Sequence, residues 1–208
     1  MQRFITFEGA DGCGKSTQIA LTADWLRGLG HRVTTTHEPG DNSIGKEIRR
    51  LLLDPKHAPT PTCELLLFLA DRAQHVTEII RPALADSQWV LCDRFTDSTV
   101  VYQLAARKLA AISTLQPLLE FAQQATIPAS TLWFDLPLET ALQRIAERNG
   151  SSNESRMDRE SRAFHQAVHQ GFATLYRQHP QRIQRIDAHA TIAQVQQQVQ
   201  QTVQAMLH

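Results

Sequence analysis

The chain has no surplus of either charge: 21 lysines and arginines face 21 aspartates and glutamates. A nucleic-acid groove needs a basic excess, so nucleic acid is not an expected partner. No apolar run approaches the length that crosses a bilayer, so no membrane is expected either. Cysteine is scarce. Cys13, Cys63 and Cys92 are an odd, scattered set without metal-ligand spacing, the pattern of reduced thiols in a cytoplasm. A signal-peptide pattern is missing too, which fits the same expectation of a cytoplasmic protein. The histidines are dispersed; His165 and His169 share a helical face, but no Glu follows His165 as a zinc-protease pattern requires, and a solvated helix face is expected there. There is no internal repeat, and 208 residues suit a single domain, 1–208, around one substantial core.

What is present centres on Gly9-Ala10-Asp11-Gly12-Cys13-Gly14-Lys15-Ser16-Thr17, which fits the phosphate-binding pattern G-x-x-x-x-G-K-[ST]. The glycines let the backbone fold tightly on an anion, with its N–H groups turned inward as a nest. A helix starting near Lys15 aims its partial positive end at the same point. Lys15 adds a point charge for the β- and γ-phosphates, and the Ser16 hydroxyl suits Mg²⁺. The setting agrees: Phe4–Phe7 reads as a strand, and Ile19, Ala23, Leu26 and Leu29 follow at helical spacing.

Further strand-like runs, 32–36, 89–92, 131–134 and 182–186, alternate with helical stretches. That alternation predicts an α/β three-layer sandwich, a five-stranded parallel sheet with helices on both faces. Ligands in such sheets bind beyond the carboxyl ends of the strands, and the chemistry-bearing residues fall there. After the second strand comes Glu38, held in a turn by Pro39, facing a ligand or a metal-bound water, or simply solvated. Arg49 and Arg50 follow on a helix. The stretch 63–80 reads as one long helix with Leu66, Leu69, Ala70 and Ala73 on its stripe. On it, Phe68 and Arg72 share a face, to stack on and hydrogen-bond a nucleobase or to serve as a core ring and a snorkelling cation. After the third strand, Asp93 stands where a carboxylate holds Mg²⁺ through water, and Arg94 offers a fork for phosphate oxygens. Val100 to Gln103 then starts another helix. From Arg144 to Arg162, flexible polar residues lie beside Arg156, Arg159 and Arg162 at helical spacing. This reads as a lid that closes over phosphates, or as a charged, solvated helix.

Taken together, these residues resemble the bacterial thymidylate kinase family, nucleoside monophosphate kinases of the P-loop NTPase type that make dTDP from dTMP and ATP. The likeness runs nearly end to end. It rests on Phe7-Glu8-Gly9 with the P-loop, Glu38-Pro39-Gly40, Phe68 and Arg72, Asp93-Arg94-Phe95 with Ser98, Tyr102-Gln103, and Arg156-Met157-Asp158. The resemblance implies ATP on residues 9–17 and Mg²⁺ on Ser16 and Asp93. It implies dTMP on Asp11, Glu38, Arg49, Phe68, Arg72, Arg94, Ser98, Tyr102 and Gln103. Tyr102 would sit under the deoxyribose where a ribose 2′-hydroxyl would clash. Lys15 and Arg94 are the implied catalytic residues. Because no basic residue precedes Lys15 in the P-loop, a lid arginine, Arg148 or Arg156, is implied as well. A homodimer is implied. The chain departs from the family pattern at His37, at Asp41 and at Leu104-Ala105-Ala106-Arg107, where a Gly-rich run is usual. The competing readings are another P-loop deoxynucleoside or nucleoside monophosphate kinase, and a nucleotide-binding module without catalysis.

Overall fold

Side chains along the first strand, β1 (Phe4–Glu8), alternate between two buried faces, and this alternation sets the layers of the molecule. Ile5 and Phe7 enter one hydrophobic cluster, while Phe4 enters another on the opposite side. The computed structural model describes residues 3–109, 111–149 and 155–207. Among these, β1 is the middle of a five-stranded sheet with β2 (Val33–His37), β3 (Trp89–Asp93), β4 (Ser130–Asp135) and β5 (Ile183–Asp187). The order is β2-β3-β1-β4-β5, and every neighbouring pair is parallel. The central strands are buried on both faces, as a parallel sheet covered by helices requires. The expected architecture is therefore present, with strand ends displaced by a residue.

The described helices are α1 (Lys15–Gly28), α2 (Ser43–Leu53), α3 (Pro61–His75), α4 (Arg81–Ala85), α5 (Thr96–Thr99), α6 (Ile112–Gln123), α7 (Leu138–Asn149), α8 (Arg162–Gln178) and α9 (Ile192–Gln204). On one face of the sheet, Ile19, Ala23 and Leu26 of α1 and Val195, Val199 and Val203 of α9 cover Phe7, Leu91 and Phe134. Full burial of side chains of this size stabilises by about 1.5–3 kcal/mol each. On the other face, Val168 and Phe172 of α8 cover Trp133 and Ile183, and Val76 and Ile80 cover Phe4, Val90 and Cys92.

Four helical expectations need correction. The buried stripe of α3 runs through Leu65 and Leu69, whereas Leu66 is 54 % exposed and Ala70 faces outward, because α6 packs on the Leu65 side. Arg156, Arg159 and Arg162 do not share one helix. Ser155 caps a single 3₁₀ turn, Arg156–Arg159; the chain then turns extended at Glu160, and Ser161 caps α8 anew. His165 is not solvated: it is 7 % exposed, since the α8 cap phases it onto the packed side with Phe164 and Val168. The helix expected from Val100 begins at Thr96 and passes into a π-helical stretch, Val100–Ala106, closed by Arg107 N–H donating to the Tyr102 carbonyl at 2.9 Å. Such wide turns are common at functional sites, and this one carries Tyr102 and Gln103.

Candidate active site

The carboxyl ends of β1, β2 and β3 open onto two adjoining hollows. The first, about 690 Å³, is lined by the glycine loop, Lys15, Ser16 and Asp93. Gly9 takes φ +143°, and a Cβ there would meet the Phe134 carbonyl oxygen at 2.8 Å, so only glycine lets the loop close on β4. Lys15 is buried; its Nζ donates to the Gly9 and Ala10 carbonyls at 3.2 and 3.1 Å and stands 4.0 Å from Asp93. Ser16 Oγ donates to Asp93 Oδ2 at 3.0 Å. The other oxygen, Asp93 Oδ1, is buried with no hydrogen-bond partner. A hydroxyl beside a carboxylate oxygen that makes no hydrogen bond and has only the Lys15 ammonium 4.0 Å away fits a hard cation such as Mg²⁺. No cluster of three or more His, Cys, Asp or Glu side chains suited to a metal occurs among the described residues. A cation here would therefore lean on substrate phosphates, as Mg²⁺ does.

The second hollow, about 280 Å³, is lined by Phe68 and Arg72 of α3, by Ser98, Tyr102 and Gln103, and by Ser155, Met157 and Asp158. Asp11, Glu38, Arg49 and Arg94 line both hollows. Arg94 sits in the left-handed region at φ +71°, a sparsely populated conformation for a residue that carries a Cβ, at the point where β3 ends. Its Nη1 donates to the Gly9 carbonyl at 3.0 Å and to Ser98 Oγ at 3.1 Å, and its Nη2 to Asp11 Oδ1 at 2.8 Å. The guanidinium lies 5.2 Å from the centre of the Tyr102 ring. Burial alone would lower its pKa, but Tyr102, Asp11, Asp93 and Glu8 outweigh that and raise it. Arg49 donates to the Pro39 carbonyl at 2.7 Å. Burial and the like charge of Arg94 pull Arg49 below its ordinary range. Two guanidiniums that disfavour each other across one hollow form a place for an anion.

Behind this surface lies a buried set of acids. Glu8 accepts from Phe95 N–H at 2.7 Å and from Ser98 Oγ at 2.6 Å, tying the Arg94 loop to β1; burial and nearby Asp97 raise it to about 7. Glu38 accepts from Arg72 Nε and Nη2 at 3.0 and 2.7 Å, and its second oxygen is 2.9 Å from His75 Nδ1. Arg72 Nη1 donates to Thr99 at 3.0 Å. Burial opposes ionisation of Glu38, yet Arg72 and His75 hold its carboxyl below the usual range. The Glu38–Pro39 peptide bond is cis. Beyond it, Gly40 takes φ +110° with its N–H on Asp71 Oδ1 at 3.0 Å.

The thymidylate kinase profile matches residues 7–199. The chain is 43 % identical over 205 residues to a thymidylate kinase of Gloeobacter violaceus, covering 99 % of this chain and 96 % of that one. It is 47 % identical over 190 residues to a thymidylate kinase of Desulfovibrio desulfuricans, covering 89 % and 87 %. The crystal structure of thymidylate kinase from Ehrlichia chaffeensis superposes with a TM-score of 0.77 at 30 % identity, covering 97 % of each chain.

The chain belongs to the thymidylate kinase family.

In this thymidylate kinase family member, the sequence-predicted residues divide cleanly. Residues 9–17 form the loop and first turn around the larger hollow. Phe68, Arg72, Ser98, Tyr102 and Gln103 converge on the smaller one, with Asp11, Glu38, Arg49 and Arg94 at the boundary. Glu38 bonds Arg72 and His75 rather than standing solvated, while still lining both hollows. Asp41 accepts from Thr36 at 2.5 Å. Arg156 does not reach toward Lys15: its Nε donates to the Leu52 carbonyl at 2.8 Å and its Nη2 to Glu64. The Arg148 side chain and residues 150–154 of the expected lid lie outside the described residues. Sequence reasoning missed the buried Glu64, Asp71 and His75, which line neither hollow but bond Gln103, Gly40 and Glu38. Their signal was their phase: with Phe68 and Arg72 they recur at helical spacing along the inward side of α3.

Proposed function

We propose that the larger hollow takes ATP, the smaller takes dTMP, and their common wall brings the two phosphates together. The chain transfers the γ-phosphoryl group of ATP to dTMP, giving dTDP. The observation that carries the residue assignments is the placement of Arg49 and Arg94 on both hollows, beside the loop that holds Lys15.

The acceptor is a phosphate monoester with a second pKa of about 6, so it is mostly a dianion at neutral pH and needs no general base. The obstacles are repulsion between anions and the charge spread over the moving phosphoryl group, which positioning and electrostatics must overcome. Lys15 and the loop N–H groups would hold the donor phosphates. Ser16 and Asp93 would hold Mg²⁺, which when bound neutralises charge on the β- and γ-phosphate oxygens. Arg94 and Arg49 would grip the acceptor phosphate, with Ser98 and Gln103 completing its pocket. Asp11, which already orients Arg94, would contact the nucleotide sugar. Phe68 would stack on thymine. Arg72 has five N–H donors, and those not turned to Glu38 and Thr99 would meet the base edge. Tyr102, wedged beside Arg94, would exclude a 2′-hydroxyl. The segment 144–162 would act as a lid within a single domain, with Arg148 as its catalytic arginine, since Arg156 is turned to Glu64 and the Leu52 carbonyl.

No described helix is long and apolar enough to cross a membrane. The described cysteines are all free, which supports a cytoplasmic setting. Exposed Leu66 on α3 with Leu118 and Phe121 on the neighbouring α6 support a homodimer. The decisive test of the reaction is ADP release from ATP with and without dTMP, against a panel of other monophosphates and nucleosides. Stimulation by dTMP above the rest is expected; a preference for a nucleoside, which offers Arg49 and Arg94 no anion, would overturn the assignment.

A further inference from the structure

Glu64 of α3, 1 % exposed, lies behind Gln103, which lines the smaller hollow, and takes donors from three residues in two parts of the chain. Gln103 Nε2 donates to its Oε1 at 3.1 Å. Arg107 donates through Nε at 3.1 Å and Nη2 at 3.2 Å. Arg156 Nη2 donates to its Oε2. Arg107 also reaches Glu160 at 2.5 Å, and its guanidinium lies 4.6 Å from the centre of the Phe164 ring. Arg156 Nη1 stands 3.8 Å from Glu160. Two carboxylates and two guanidiniums thus form a neutral, half-buried square. The two arginines hold Glu64 below the ordinary carboxylate range against its burial.

A buried ion network is weak evidence for stability, because desolvation offsets the attraction; its best-attested use is to fix register. The register fixed here is that of segment 155–160. Ser155, Met157 and Asp158 of that segment line the smaller hollow, as does Phe68. Arg156, between them, is fastened to Glu64 and to the end of α2 through the Leu52 carbonyl. Gln103, on the same carboxylate, lines the same hollow.

We propose that Glu64, Arg107 and Arg156 form a latch that seats segment 155–160 over the acceptor nucleotide. It rests on the acceptor reading of this hollow. Glu64 and Arg107 are positioning residues: they touch no reacting atom and act through Gln103 and the seated segment. Arg156 belongs to the acceptor side and not to the moving phosphoryl group. The departure from a Gly-rich run at 104–107 acquires a reason, since a π-helical stretch ending in Arg107 delivers its guanidinium to both carboxylates.

The test is a double-mutant cycle in dTMP-dependent ADP release with wild type, Glu64→Gln, Arg156→Gln and the double variant. Each single change should raise KM for dTMP about tenfold, with kcat and KM for ATP within about threefold. The double variant should be no worse than the poorer single, because both remove one interaction. Penalties that multiply would overturn the latch, as would a collapse of kcat at unchanged KM for dTMP, which marks Arg156 as acting on the transferred group. If Glu64→Gln does not fold, Arg107→Gln with Glu160→Gln gives a second cycle at half-buried positions, with the same expectation. A wild type that releases ADP regardless of dTMP would instead overturn the acceptor reading, a separate result from failure of the cycle.

Discussion

Replacing Arg94 with lysine keeps the charge at the wall between the hollows and removes the fork. In the structure, one arm of Arg94 is held by Gly9 and Ser98 and the other by Asp11. Those bonds aim the plane of the guanidinium, leaving donors for a phosphate. Lysine has a single nitrogen for both tasks, so it must give up either its anchors or one phosphate bond. A hydrogen bond to a charged group contributes about 1.5–3 kcal/mol. At 1.36 kcal/mol per factor of ten, kcat/KM for dTMP should fall by about 10- to 150-fold. Backbone strain does not confound the comparison, since arginine and lysine meet the same penalty at φ +71°. Arg94→Ala, which also removes the charge and leaves Asp11 without this partner, should lose more than Arg94→Lys. A coupled ADP assay at varied dTMP reads the effect, and thermal unfolding checks that both variants are folded. If Arg94→Lys stays within about threefold of wild type in kcat/KM for dTMP, bidentate gripping of the acceptor phosphate is wrong.

Burial and nearby Glu38 raise the Asp71 carboxyl to about 7, so the folded chain keeps a proton that the unfolded chain releases near about pH 4. The stability tied to that proton is whole below about pH 4 and lost as pH rises through about 7; Asp71→Asn, which cannot ionise, should lose less than wild type from pH 5 to 8, by at most about 3 kcal/mol. Glu38, shifted the opposite way, is common to both proteins, and parallel pH curves in urea unfolding would count against the prediction. Phe121 is 84 % exposed on α6, so Phe121→Glu should convert a dimer to a single chain in light scattering; an unchanged mass would remove that face from the interface.

Much of the fold was legible because its signals are local. The glycine loop, the apolar strands and the residue types just after them are each set by a few neighbours in sequence, and each appeared where the pattern placed it. What escaped depends on partners far along the chain. Glu64 looks like an ordinary surface acid at the start of α3, and only the arrival of Arg107 and Arg156 makes it a hub. Spacing left Phe68 and Arg72 undecided between core and ligand; the tertiary fold puts both on the hollow's wall and buries Arg72 against Glu38. The supposed helix through Arg156, Arg159 and Arg162 failed because two serines cap separate turns, a competition that charge spacing does not register. His165 misled for a similar reason: a cap set the phase of α8, and a polar residue type did not decide its face.

Asp11, Glu38, Arg49 and Arg94 front both chambers, so neither occupant is independent of the other. Whatever one guest changes in the pose of these four, the second must feel, and by linkage the influence is equal in both directions. With ATP and dTMP in the two chambers as proposed, a substitution at these positions should shift the affinity for both. A single molecule that spans the divide and carries its charge at the seam would draw on the same four side chains from both sides at once.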